Sequence, residues 1–216
     1  MTTFTNNPNP SKKTATLKTN YWLWGMLCLS VLVAIYAFTL PWMLEFLPTP
    51  IHSGFLERSF TLFLFHVIAA GIALIIGPIQ FILARHFPRH PSLKTWHSNL
   101  GRIYLMAVII GTIGGTYLSF YAQGGLISTI GLLTLNALWI SSTLIAVWHI
   151  LNANVIAHKK WMTRSFALTF AAVTLRLEMP LLGIFFEQVT VSQIVYWSCW
   201  SINLLVVELW MRLKKS

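Results

Sequence analysis

Apolar residues fall in six long blocks, at positions 22–44, 59–84, 100–121, 126–151, 162–186 and 191–211, parted by short polar or proline-bearing stretches. Wound as a helix at ~1.5 Å per residue, each block can cross a hydrocarbon core ~30 Å thick. The pattern predicts an all-α fold, a polytopic membrane helix bundle of six transmembrane helices. Pro41, Pro78 and Pro180 lie inside the first, second and fifth blocks. They should bend these helices rather than end them, because neighbouring helices can satisfy the freed carbonyls. Residues 1–20, rich in Thr, Asn, Pro, Ser and Lys, read as a disordered cytoplasmic tail. Residues 21–212 form the transmembrane domain, with a four-helix core at about 60–186, and 213–216 a short tail. The first block is too long for a signal-peptide core and no small-residue cleavage site follows it, so it counts as a span.

Composition agrees with lipid as the surrounding solvent. The chain is 56% hydrophobic and 9% charged, where a soluble domain carries about 25% charged residues. The formal charge of +10 comes from 15 Lys and Arg against 5 acidic residues, all Glu. Thirteen of those 15 basic residues fall at one membrane face if the six blocks alternate direction: Lys12, Lys13, Lys18, Arg85, Arg89, Lys94, Arg102, Lys159, Lys160, Arg164, Arg212, Lys214 and Lys215. The other face has Arg58 beside Glu45, Glu57 and Glu187. The positive-inside rule then places both termini in the cytoplasm, in a cell inner membrane, with anionic lipid headgroups as partners of the basic face. No basic-aromatic motif in a soluble domain points to nucleic acid. Cys28 and Cys199 lie in apolar blocks outside any CxxC pattern and read as small buried hydrophobes.

Polar groups inside a bilayer require interior partners. On the second block, at about 100° per residue, His66, Ala70, Ala73, Gly77 and Gln80 share a face, a small-residue stripe with a polar group at each end. His66 falls near the outer third and Gln80 near the inner end. They serve either a ligand or two interhelical hydrogen bonds. On the fifth, if its helix reaches back to the loop, His158, Ser165, Thr169, Ala172, Arg176 and Gly183 share a face. Arg176 lies at about the depth of His66 and calls for an anion, either a ligand's or a carboxylate's. Glu178 is two residues away, a spacing that does not face on a helix unless Pro180 distorts the turn. On the third block His97, Gly101, Tyr104, Gly111 and Gly115 share a face. Its G-x-x-x-G fits close helix packing, and a flat cofactor would need the same small residues.

Three histidines, His97, His149 and His158, gather at the cytoplasmic end, while His86 and His90 fall in a proline-rich loop. Imidazoles ligate Zn, Cu or haem iron, which makes His97, His158 and His149 the candidate metal ligands. The chain has no Asp, and Glu208 is the only inner carboxylate. That scarcity counts against a metal-dependent hydrolase.

Two stretches carry a family likeness: His66-x-x-x-Ala70-x-x-x-Leu74-x-x-Gly77-Pro78-x-Gln80-Phe81 followed by Arg85 and Trp96-His97-x-x-x-Gly101-Arg102-x-Tyr104, and the run from His158 through Trp161-Met162-x-Arg164-Ser165 to Thr174-Leu175-Arg176. Over about 60–185 they resemble the bacterial predicted membrane proteins grouped as domain of unknown function 2306, departing at Ser98, where that family more often has Arg. The resemblance implies a multi-pass membrane protein and brings no reaction. A fainter likeness to transmembrane di-haem cytochromes b implies His97 and His158 as ligands of one inner haem b. An outer haem would need a histidine at the outer end of the fourth span beside His66, and none exists.

The leading functional expectation is electron transfer within the membrane, linked to haem b or a quinone, with His97, His158, His66, Arg176 and Gln80 as cofactor-binding residues. The alternative is a small-solute or proton transporter, or an assembly or binding subunit of a membrane complex, in which Arg176, Glu178 and His66 line the path.

Overall fold

The computed structural model describes residues 21–46, 55–86, 90 and 92–213, with the side chains at 22 and 40–59 outside that description. The amino-terminal tail, His52, Arg89, Lys214 and Lys215 lie outside it, as do the side chains of Glu45, Glu57 and Arg58.

Seven helices make up the described residues: α1 (Tyr21–Phe46), α2 (Phe55–His86), α3 (Leu93–Ser119), α4 (Gly125–Leu151), α5 (Val155–Thr169), α6 (Ala171–Leu182) and α7 (Gln188–Leu213). Helices α5 and α6 together form the fifth predicted span, Val155–Leu182. Five spans, those of α2, α3, α4, α5 with α6, and α7, are long and apolar enough to cross a membrane, and α1 adds the apolar segment Leu23–Thr39. Many large apolar side chains point outward, among them Ile113 at 64% exposure and Ile184 at 74%. In water such a surface would aggregate; in lipid it is the expected outer face.

The helices outrun the sequence boundaries. Helix α3 begins at Leu93, so His97 sits inside its first turns, and α5 begins at Val155, so His158 is helical. The Asn154 side chain starts α5 by accepting from the Ala157 N–H at 3.1 Å, which satisfies one of the helix's orphan donors. His86 belongs to the last turn of α2 rather than to a loop, its Nδ1–H donating to the Ile82 carbonyl at 2.7 Å. Pro78 and Pro180 are carried within α2 and α6, as expected.

The interruption of the fifth span falls instead at Phe170. The Phe170 carbonyl accepts from both the Val173 N–H (2.9 Å) and the Thr174 N–H (3.2 Å), a tightened turn. Asn203 braces the break from α7. Its Nδ2 donates to the Ala167 carbonyl (3.1 Å) and its Oδ1 accepts from the Thr174 hydroxyl (3.0 Å). Just before the break, Phe166 packs over Gly77 of α2, where any Cβ would run into its ring.

Helix α2 packs against α1, α3 and α5, and α7 closes the bundle against α4, α5 and α6. The turn from α3 to α4 runs through Gly124 at φ +94°, a left-handed conformation that glycine adopts at no steric cost. The turn is held to α7, since the Gln193 Nε2 donates to the Gly124 carbonyl at 3.0 Å. The buried core runs along the bundle axis through Ala73, Tyr104, Val108, Trp139, Leu168, Val195 and Cys199. Cys199 is buried as expected, whereas Cys28 is exposed on α1.

Candidate functional site

The histidine that begins the small-residue stripe of α2 is fixed by α3. His66 packs its Cβ at Gly114 and its ring at Gly115, and its Nδ1 lies 2.7 Å from the Gly111 carbonyl. A carbonyl only accepts, so Nδ1 carries the proton and Nε2 keeps a lone pair. A Cβ on Gly115 would lie 2.9 Å from His66 Cε1 and 2.8 Å from Asn136 Oδ1, and one on Gly111 would lie 3.1 Å from the Trp139 ring. The G-x-x-x-G face is thus packed by this chain's own His66, Asn136 and Trp139.

These groups line a cavity of about 420 Å³ to which every span contributes, with Val33, His66, Gly115, Asn136, Trp139, Thr169, Arg176 and Tyr196 among its walls. The size is that of a small-molecule site. Its surface is largely apolar, from Val67, Leu74, Leu132, Leu135 and Leu175. It extends to Ala122 in the α3–α4 turn, so it occupies the half of the bundle away from the basic helix ends.

Arg176 and His66 both line this cavity. The Arg176 guanidinium sits over the Tyr36 ring, 5.5 Å from its centroid. Nη1 donates to the Ala172 carbonyl at 2.8 Å, while Nε is buried without a partner. No carboxylate among the described residues pairs with Arg176. The intrahelical ion pair with Glu178 is not made: Glu178 Oε2 accepts from the Ser198 hydroxyl of α7 at 2.5 Å. Residues two apart diverge by about 200° around a helix, and Pro180 does not undo that. The inner carboxylate, Glu208, is also taken, by Arg164, with Nη2–Oε2 at 3.0 Å. Arg164 stacks in addition on Trp161, 4.6 Å from its ring centroid.

At the other, basic end the histidines separate. His158 Nδ1–H donates to the Ala146 carbonyl of α4 at 2.8 Å, and His158 and His97 are close enough to interact electrostatically. His149 instead stacks edge-on against Trp148, centroids 4.8 Å apart. Among the described residues no three of His, Cys, Asp or Glu come together as a metal-holding group. Neither His97 nor His158 lines the cavity. Gln80 is buried; its Nε2 donates to the His97 carbonyl at 2.9 Å and its Oε1 has no partner.

Between the two ends lies a polar cluster that periodicity alone did not single out. Tyr104 of α3, Thr143 and Trp139 of α4, and Ser165 and Thr169 of α5 are all buried. The Tyr104 hydroxyl lies 2.8 Å from both Ser165 Oγ and Thr169 Oγ1, and Thr143 Oγ1 lies 2.7 Å from Ser165 Oγ. Trp139 Nε1 donates to Thr169 Oγ1 at 2.8 Å. Tyr104, Ser165 and Thr169 were visible as members of helix faces. Trp139 and Thr143, four residues apart on α4, carried a signal that could have been read the same way.

No curated protein and no solved structure matches the chain. Residues 63–211 match the family described as predicted membrane protein, DUF2306, and the chain belongs to that family.

Proposed function

We propose that this membrane protein binds a lipid-soluble molecule with an oxygen-rich head in the His66–Arg176 cavity, and that the molecule is of the quinone class. The observation that carries the reading is Arg176, a permanent charge at an apolar cavity with no carboxylate opposite it among the described residues. A quinone carbonyl, or the oxyanion of its reduced form, takes N–H bonds from Arg176. His66, with Nδ1–H fixed on Gly111, offers Nε2 as acceptor for a quinol O–H. The isoprenoid or alkyl body suits the leucine and valine walls. In this reading the protein serves quinone-linked electron transfer within the membrane.

A haem b held by His97 and His158 ranks below it. What favours haem is that the His158 imidazole, held through Nδ1, lies within electrostatic reach of His97. The basic face, with Arg85, Lys94, Arg102, Lys159 and Lys160, lies in the cytoplasm in this proposal, against anionic lipid.

The test is titration of the detergent-purified protein with a short-chain benzoquinone, followed by tryptophan fluorescence, since Trp139 is in the cavity wall. Quenching saturates in the wild type. Arg176→Gln weakens binding about tenfold to a hundredfold, the worth of a charge-assisted hydrogen bond. Quenching that never saturates, or that is the same in Arg176→Gln, rejects the reading. A Soret band in the purified protein, lost in His158→Ala, would promote haem instead.

A further inference from the structure

The cavity has one weak wall. Helices α2 and α6 both line it, through His66 and Ala70 on one side and Ala172 and Arg176 on the other. Yet among the described residues no Cα of α2 comes within 8 Å of one in α6. The break at Phe170 is where they part: α5 meets α2 at Phe166 and Gly77, and α6 beyond it does not. The gap is covered by α1, which contributes Val33 and Ala37 to the cavity lining. Helix α1 packs closely on α2, where a Cβ on Gly71 would lie 2.9 Å from the Phe38 ring. Its contact with α6 is far slighter.

Hydrogen bonds repeat the asymmetry. His66 ties α2 to α3, Tyr104 and Trp139 tie α3 and α4 to α5, and Asn203 and Ser198 tie α7 to α5 and α6. Helix α1 has no such tie among the described residues. Its Thr39 bonds to carbonyls of its own helix, and its buried Ser30 hydroxyl has no partner. Lipid tails are as apolar as the bundle, so no hydrophobic force presses such a helix into place. The one polar contact between α1 and α6 among the described residues is Tyr36 with Arg176, whose guanidinium lies 5.5 Å from the ring centroid, a cation–π contact. Tyr36 is 46% exposed. A single aromatic side chain therefore stands between the lipid and the charge of the cavity.

Given the reading of the cavity as a site for a lipid-soluble molecule with an oxygen-rich head, we infer that the seam between α1 and α6 is its entrance from the bilayer and the subsite for its tail. Tyr36 covers Arg176 until the ligand arrives. The head displaces the ring, and its oxygens take the N–H groups of the guanidinium. The apolar chain stays between α1 and α6 with its end in lipid. A long chain is accommodated, because it need not fit within the cavity's volume of about 420 Å³. Other walls of the cavity are pinned. Trp197 Nε1 of α7 donates to the Ile127 carbonyl of α4 at 3.0 Å, and Gln193 holds the α3–α4 turn.

The experiment is photolabelling of the detergent-purified wild type with a decylbenzoquinone that carries a diazirine on its chain, followed by peptide mass spectrometry. Label that excess short-chain benzoquinone competes away is expected on α1 around Tyr36 and on α6 around Arg176. Competed label on α3, α4 or α7 instead, or saturable tryptophan quenching with no competed label on α1 or α6, overturns the seam and leaves the quinone reading standing. No quenching and no competed label overturns both. Stopped-flow quenching by the short-chain benzoquinone gives the second measurement. Tyr36→Ala speeds association about threefold to thirtyfold, the worth of one cation–π contact. Tyr36→Phe, which keeps the ring, and Ile130→Ala, an exposed position on α4, stay near wild type. Wild-type association in a folded Tyr36→Ala protein also overturns the seam as the entrance.

Discussion

A guanidinium cannot shed its charge in a protein, so Arg176 must find an anion, a dipole or water wherever the fold puts it. Sequence alone placed it at the depth of His66 on an inward face, and both residues line one cavity. What the sequence could not settle was its partner, because Glu178 is close in number but directed to Ser198 by helix geometry. The glycines of α3 were legible as small and inward-facing. That their space belongs to His66, Asn136 and Trp139 depends on which helix lies opposite, which periodicity does not encode. A prediction follows at this scale. In Gly115→Ala the new methyl lies 2.9 Å from His66 Cε1 and 2.8 Å from Asn136 Oδ1, so the imidazole must shift. Overpacking of this kind costs about 1–3 kcal/mol. The variant should unfold at lower temperature and bind benzoquinone more weakly than wild type. Wild-type binding and melting together would show that His66 is not held where we describe it.

The spans themselves were the most legible part of the chain, because a bilayer demands long apolar runs and tolerates few charges. Their ends were less so. The first turns of α3 are polar and α5 carries His158, Lys159 and Lys160 near its start, so a hydrophobicity criterion misses helix that the backbone continues back to Leu93 and Val155. The break at Phe170 was not legible at all. Prolines were the visible candidates, yet the turn tightens among Phe, Ala and Thr residues, where Asn203 of α7 accepts and donates across it. The direction we propose for the helices rests on charge. Among the described residues, Arg85, Lys94, Arg102, Lys159, Lys160, Arg164 and Arg212 cluster at one set of helix ends. A fluorescent-protein reporter fused after residue 216 should therefore fluoresce in the cytoplasm, and an alkaline phosphatase fused there should be inactive. Active phosphatase would invert the topology and put the cavity on the cytoplasmic side.

At the scale of the whole molecule the polar groups of the interior divide by depth. The histidine pair and Gln80 occupy the basic end, the hydroxyl cluster the middle, and the Arg176–His66 cavity the opposite half. A bundle this apolar has no need of so many buried polar atoms for packing, and each costs free energy unless it is paired. At the cavity pairing is incomplete, because Arg176 Nε is buried and unpartnered. In the proposed complex a ligand's oxygen atoms complete it. Mass spectrometry of the small molecules extracted from protein purified in mild detergent tests this most directly, with wild type and Arg176→Gln compared at equal protein. A quinone should be recovered near one per chain from the wild type and be largely lost from Arg176→Gln. Equal quinone in both, or none in the wild type even after purification with added quinone, would contradict it.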